Sequence, residues 1–214
     1  MPQTQLTLRR SSRMPARKWR RRSGVAKFSA FLDACTLVPV SLADTFLSLA
    51  EAGLYRPLWS DRILEETQLA VKRIHPELSP DSVERRIAVM RGFFDDANIT
   101  DWDVLESVVS LPDPDDAHVL AAAIQGRADV IVTFNIKDFP RDELQRFGID
   151  VQTPDEFLLN QLDLDPDEVL DCLVRQAHAL RNPPVQLKEL LGSLERLTLP
   201  GFTSEARRHL WRVG

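Results

Sequence analysis

The sequence predicts an α/β fold: three layers, α/β/α, around a parallel central sheet, followed by a C-terminal α-helical extension. Three observations carry this reading. Short apolar runs of strand length alternate with longer segments whose apolar residues recur every three to four positions, the pattern of parallel strands joined by helices. Strong helix-opening signals stand directly behind two of the runs, at Ser60 and at Thr153-Pro154-Asp155-Glu156. From about Leu162 the strand signals disappear and only helical segments follow. The chain therefore divides into a basic N-terminal arm (1–27), an α/β domain (28–161) and a helical extension (162–214).

The elements follow in order. Lys27–Leu32 is the first strand, with Asp33 at its carboxyl end. Ser41 and Asp44 have capping-box spacing and open a helix that ends near Gly53, with Leu42, Phe46 and Leu49 as its apolar stripe. Leu54–Trp59 is the second strand, and Arg56 and Pro57 make it short or an edge strand. Ser60 caps a helix that carries Glu65 and Glu66. Behind Ser79, Pro80 starts another, with Val83, Ile87, Met90 and Phe94 on one face. Asn98–Val109 alternates weakly and holds only a short strand. Asp115–Gln125 is helical, Val130–Thr133 a strand, Asp142–Phe147 a short helix and Ile149–Gln152 the last strand. In the extension, Asp165-Pro166-Asp167-Glu168 opens a helix to about Leu180, and Arg181–Pro184 breaks it. Val185–Leu197 and Thr203–Trp211 are two further helices, split by Leu199-Pro200-Gly201. The extension is too small for a core of its own and is expected to pack on the main body.

At 214 residues, 43% hydrophobic and 28% charged, the composition is that of a globular protein. No apolar run approaches the roughly 18 residues of a membrane span. Cys35 and Cys172 lack metal-type spacing and read as free thiols in a reducing, cytoplasmic setting. His75, His118, His178 and His209 form no zinc motif. The net charge of −5 conceals an asymmetry: residues 1–27 hold nine Arg or Lys and no acid, leaving 18 basic against 32 acidic residues, a net −14, on the rest. Such an arm reads as a disordered solvated tail or as a contact for phosphates. Translation from Met14 would shorten it. A secretory signal is disfavoured because Asp33 interrupts the apolar stretch that would follow.

The chemistry concentrates at strand ends and helix starts. Asp113, Asp115 and Asp116 cluster at the mouth of an Ala-rich helix, and an apolar strand a dozen residues later runs out into Thr133, Asn135 and Asp138. Asp33 falls at the same carboxyl edge of a parallel sheet, where ligands of such folds bind. Carboxylates brought together raise one another's pKa. A hard divalent cation with oxygen ligands offsets that repulsion. The matching chemistry is metal-assisted phosphodiester hydrolysis, with Thr133 and Asn135 positioning water or a phosphate oxygen, or else capping the strand end.

Four phrases make a resemblance specific: Phe31-Leu-Asp-Ala-Cys-Thr-Leu-Val38, Trp59-Ser-Asp-Arg-Ile-Leu-Glu-Glu66, Leu111-Pro-Asp-Pro-Asp-Asp-Ala-His-Val-Leu-Ala-Ala-Ala-Ile124 and Val132-Thr-Phe-Asn-Ile-Lys-Asp-Phe139. In this order they resemble PIN domains, and among them the VapC-type toxin ribonucleases with a helical C-terminal extension. The resemblance implies a PIN-like fold and an Mg²⁺-dependent (or Mn²⁺-dependent) endoribonuclease that acts on RNA, forms a homodimer and is inhibited by a cognate antitoxin. It implies catalytic acids at Asp33, Glu66 (with Glu65 as a rival), Asp116 and Asp138 (with Asn135 as a rival). Of these, Asp33, Asp116 and Asp138 are the implied metal ligands. Cys35 stands where relatives carry Asn or Ser, so a hydrogen bond near the metal is expected to be lost. Asp113 and Asp115 are expected to act as helix caps.

His118, two positions beyond Asp116, is expected on a different helix face and at the surface. Trp102 and Trp211 are expected to pack. Lys137, Arg141 and Arg146 are either phosphate contacts or solvated charges. An aspartate-nucleophile phosphatase would need a second Asp where Cys35 stands, and a receiver domain would need an acid pair absent near Asp33. A non-catalytic RNA- or protein-binding module of the same fold is the alternative, and it predicts missing acids, whereas all four places here are filled.

Overall fold

The computed structural model of the chain describes residues 28–179 and 185–213. The basic arm and the predicted break at 181–184 lie outside the described residues. Five parallel strands form one sheet in the order β3-β2-β1-β4-β5: β1 Ser29–Leu32, β2 Arg56–Ser60, β3 Asn98–Ile99, β4 Val130–Val132 and β5 Asp150–Gln152. After β1 the chain builds outward through β2 and β3, then crosses back to lay β4 on the other side of β1. The switch point therefore lies between β1 and β4. Both strands are buried along their whole length, as strands covered on two faces must be. Phe31 sits between Leu58 and Ile131, and each such side chain removed from water contributes about 1.5–3 kcal/mol.

The helices are α1 Ala34–Leu37, α2 Val40–Ala52, α3 Asp61–Ile74, α4 Pro80–Phe93, α5 Ala117–Gly126, α6 Arg141–Gln145, α7 Pro154–Leu164, α8 Pro166–Ala179, α9 Leu187–Glu195 and α10 Pro200–Arg208. Ser60 caps α3 by accepting from the Ile63 N–H, and Thr153 with Glu156 forms the full capping box of α7. Val83, Ile87, Met90 and Phe94 form the buried face of α4. The ambiguous stretch after β3 resolves into a 3₁₀ helix at Asp103–Val108.

Three local expectations are corrected. The Ser41–Asp44 box does not form: Pro39 is the N-cap of α2, and the Ser41 carbonyl instead accepts from Gln176 of α8. β2 is an interior strand. Pro57 is tolerated because its nitrogen faces the β3 side two residues before β3 begins to pair at Trp59. α5 runs to Gly126. Arg127 takes the left-handed conformation (φ 53°), and Gly126 is required for close packing, since a Cβ there would meet Ile99 at 3.0 Å and Leu58 at 3.1 Å. Trp211 is 73% exposed, with the Arg212 guanidinium 4.9 Å from its ring centre, rather than packed.

The extension shares the core of the body. Phe157, on α7 just ahead of the extension, packs against Phe46 and edge-on to Tyr55, with ring centres 5.5 and 5.0 Å apart, and Val169, Leu170, Leu173 and Ala177 of α8 in the extension are buried in the same cluster. A buried Thr45–Gln176 hydrogen bond of 2.8 Å ties α2 to α8. Both cysteines are free, and among the described residues no helix is long and apolar enough to cross a membrane.

Candidate active site at the carboxyl edge of the sheet

Asp33 and Thr133 leave the sheet side by side because β1 and β4 are paired up to Leu32 and Val132, and the Asp33 N–H still donates to the Val132 carbonyl at 3.1 Å. The Thr133 hydroxyl donates to Asp33 Oδ2 at 2.6 Å, and the Cys35 thiol donates to the same oxygen at 3.1 Å. Thr133 Oγ1 in turn accepts from the Asn135 N–H at 3.0 Å, and Cys35 Sγ accepts from the Phe134 N–H at 3.3 Å. The Asp33 backbone carbonyl holds Thr36 through both its N–H and its hydroxyl. Asp33 is thus 93% removed from solvent and fixed on one oxygen, while Oδ1 takes no hydrogen bond among the described residues. The expected loss of a hydrogen bond at Cys35 is corrected: the thiol makes it. Burial, and then the Asp33 charge, push this thiol up to about 12, so it stays protonated and remains a donor.

Asp116 arrives from the other side of the crevice. It ends a 3₁₀ turn, Pro114–Asp116, that feeds α5, and Asp113 caps that turn by accepting from the Asp115 N–H at 2.9 Å. Asp113 and Asp115 are exposed; Asp116 is half-buried. Burial, and then the charges of Asp33, Asp113 and Asp138, push the Asp116 carboxyl up to about 6, against a smaller opposing pull from His118. Asp138 closes a 3₁₀ turn, Ile136–Asp138, and is half-buried, whereas Asn135 is exposed. Of that pair, Asp138 is the residue that adds charge at Asp116. Thr133 is fully buried with its hydroxyl committed to Asp33, so it holds the acid rather than reaching out into the crevice.

Glu66 lies on α3, half-buried, and Glu65 beside it is exposed. The Glu66 Oε1 atom accepts from Arg62 Nε at 3.1 Å and lies 3.2 Å from His118 Nε2. Burial alone would raise this carboxyl, but the hydrogen bonds and charges of His118 and Arg62 outweigh it and hold it below its ordinary value. His118 is 2% exposed, so the expected surface position is corrected. The His118 ring faces Glu66 of α3 and Trp102, whose ring centre is 6.0 Å away, rather than water. Glu66 and Cys35 share the wall of a groove of about 400 Å³, otherwise lined by Ala34, Val38, Leu69, Ala70 and Arg73. Lys137 and Arg141 are exposed near the site, and Arg146 is paired with Glu143 at 2.5 Å.

Asp33, Asp116 and Asp138 thus converge within electrostatic range, and Glu66 stands on the adjoining wall. Among the described residues no group of three His, Cys, Asp or Glu side chains is placed to hold a metal ion. The donor set nonetheless fits a hard cation: carboxylates, a free carboxylate oxygen on Asp33, and an Asp116 carboxyl raised by burial and then by the surrounding acids. Mg²⁺ keeps several of its waters and takes only one or two carboxylates directly, which suits groups that stand apart. Sequence reasoning missed His118 as a partner of Glu66 because that contact joins helices distant in the chain, and it missed the Cys35 thiol as a donor to Asp33 because a cysteine two residues away need not turn back onto the carboxylate.

Residues 29–137 match the family described as PIN domain, and residues 154–208 match that described as VapC50 C-terminal domain. The chain belongs to the PIN domain family, and its five-stranded parallel sheet with flanking helices is that fold. It is 43% identical, over 93 residues, to the Mycobacterium tuberculosis (strain ATCC 25618 / H37Rv) protein named "Putative ribonuclease VapC50". That match covers 44% of this chain and 54% of the relative, so the chain spans about half the length of the curated relative it matches. No solved structure matches the chain.

Proposed function

We propose that the protein is a VapC-type toxin: a divalent-metal-dependent endoribonuclease of a type II toxin–antitoxin pair. The observation that carries this reading is the approach of Asp33, Asp116 and Asp138 at the β1/β4 switch point, with Asp116 driven up to about 6 by burial and then by its acidic neighbours. Asp33, Asp116 and Asp138 are the residues that would hold Mg²⁺, or Mn²⁺ in its place. When bound, it supplies Lewis-acid activation of a water and balances charge on the scissile phosphate. Asp33 enters this arrangement preset, with Thr133 and Cys35 fixing one oxygen and leaving the other free. Asp116 ionises fully once positive charge joins the cluster. Glu66, kept ionised by His118 and Arg62, orients the attacking water from the groove wall. Asn135, exposed at the end of β4, donates to a phosphate oxygen. The likeness to a protein named as a ribonuclease supports RNA as the substrate, and the VapC50-type C-terminal region supports an antitoxin partner. A homodimer in the cytoplasm completes the reading.

The test is cleavage of a mixed RNA by the purified chain with Mg²⁺ and with EDTA, beside Asp33→Ala and Asp116→Ala. Cleavage is expected with Mg²⁺ alone and in neither variant. Cleavage that survives both EDTA and the two substitutions would remove the metal mechanism. Light scattering at micromolar concentration checks the dimer, and a monomer there would remove that part.

A further inference from the structure

Resting on the nuclease reading, we propose that His118 is a positioning residue that acts through Glu66, locking the acid of α3 to the helix start that carries Asp116. His118 is the second residue of α5, Asp116 is the N-cap of that helix, and Glu66 lies on α3. The 3.2 Å contact between His118 Nε2 and Glu66 Oε1 is therefore a direct side-chain tie between the two elements. An ionised carboxylate can only accept, so Nε2 carries the ring proton.

The placement of the ring argues that this tie, and not packing, is why a histidine stands here. The side chain is 2% exposed against Trp102, a setting that leucine or phenylalanine would fill with no polar atom to satisfy. Histidine instead leaves Nδ1 buried with no hydrogen-bond partner among the described residues, a standing penalty. The polar contact that offsets it is the one to Glu66. Arg62 reaches the same oxygen, but its side chain is 41% exposed and its guanidinium is divided among Glu66, Glu106 and the Asp115 carbonyl. Water exchanges with that bond more freely than with the buried one. Both donors converge on Oε1, and Oε2 takes no hydrogen bond among the described residues, which leaves it for the groove.

The test compares His118→Leu, which keeps the apolar volume and removes the donor, with His118→Gln, which keeps an N–H of similar reach. Both are first shown to be folded by their melting curves. His118→Leu is expected to lower kcat for RNA cleavage by about ten- to a hundredfold with KM little changed, the usual effect of removing a group that orients a functional side chain. His118→Gln is expected to recover most of the loss. In a Glu66→Ala background, His118→Leu is expected to add no further loss. Nitrogen-edited NMR of the intact protein supplies a readout independent of RNA: a protected His118 Nε2–H proton in the wild type, lost in Glu66→Ala. Wild-type kcat in His118→Leu, equal losses in Leu and Gln, or an absent ring proton would each overturn the proposal. If Asp33→Asn and Asp116→Asn also leave cleavage intact, the nuclease reading has failed instead, and the ring proton still decides the His118–Glu66 bond.

Discussion

The two sides of the acidic crevice are built in opposite ways. On the sheet side, Asp33 is buried, with a hydroxyl and a thiol donating to one oxygen, and its surroundings are set by the β1/β4 register. On the helix side, Asp116 sits at a 3₁₀ turn with no hydrogen bond to its carboxyl among the described residues, and burial, followed by the charges of other acids, raises its carboxyl. Asp33 behaves as a structural carboxylate with one free face. Asp116 is an uncompensated charge that the fold tolerates. A protein selected for stability alone would not keep the second kind, and the proposed cation site joins the two, a preset carboxylate on the sheet side and a poorly compensated one on the helix side.

The contrast can be broken in several ways. The largest effect concerns the fourth acid. Asp138→Asn is expected to reduce RNA cleavage by about a hundredfold or more, and Asn135→Ala far less, because Asp138 is the one whose charge reaches Asp116. Initial rates at saturating Mg²⁺ check this, and the reverse order would move the site toward Asn135.

The next effect is on stability, with opposite signs on the two sides. Thr133→Val leaves the buried Asp33 carboxylate short of a donor and is expected to destabilise by about 1–3 kcal/mol. Asp116→Asn removes a raised acid and is expected to stabilise the metal-free protein at pH 7 by about 1 kcal/mol, after discounting for its partial exposure. The sign follows from the direction of the shift. With its folded pKa raised from 3.8 to about 6, the folded state holds the proton more tightly, so stability is lost as pH rises through that interval. Melting curves in EDTA should therefore show the variant's advantage opening between pH 4 and pH 6. Equal melting temperatures across that range would contradict it.

A control acid sharpens the comparison. Asp155 accepts from the Gly201 and Phe202 N–H groups and caps α10, so its carboxylate is fully used. Asp155→Ala is expected to cost about 1 kcal/mol in denaturant titration, the opposite sign to Asp116→Asn. The smallest effect is on Cys35. Its thiol, held up by burial and by Asp33, should alkylate slowly at pH 8, and faster in Asp33→Asn.

What could be read before any coordinates follows the same division. Elements fixed by local chemistry were legible: the Ser60 cap, the Thr153 capping box, the buried face of α4 and the run of β1 into Asp33. Asp33, Asp116 and Asp138 could be named because strand ends and helix starts of a parallel sheet share an edge. What escaped depends on contacts across the chain. His118 looked exposed until α3 covered it. Ser41 had the right spacing for a cap, but Pro39 starts the helix and the Ser41 carbonyl serves α8. The close approach of Ile99 and Leu58 that requires Gly126 also joins distant parts of the chain.

The claim on which the rest stands is that Asp33, Asp116 and Asp138 share one cation. Mn²⁺ titration of the metal-free chain at pH 7.5, followed by electron paramagnetic resonance, tests it without any RNA. Saturable binding in the wild type that is lost in both Asp33→Asn and Asp116→Asn is the expected result. Binding of equal strength in all three proteins would contradict it.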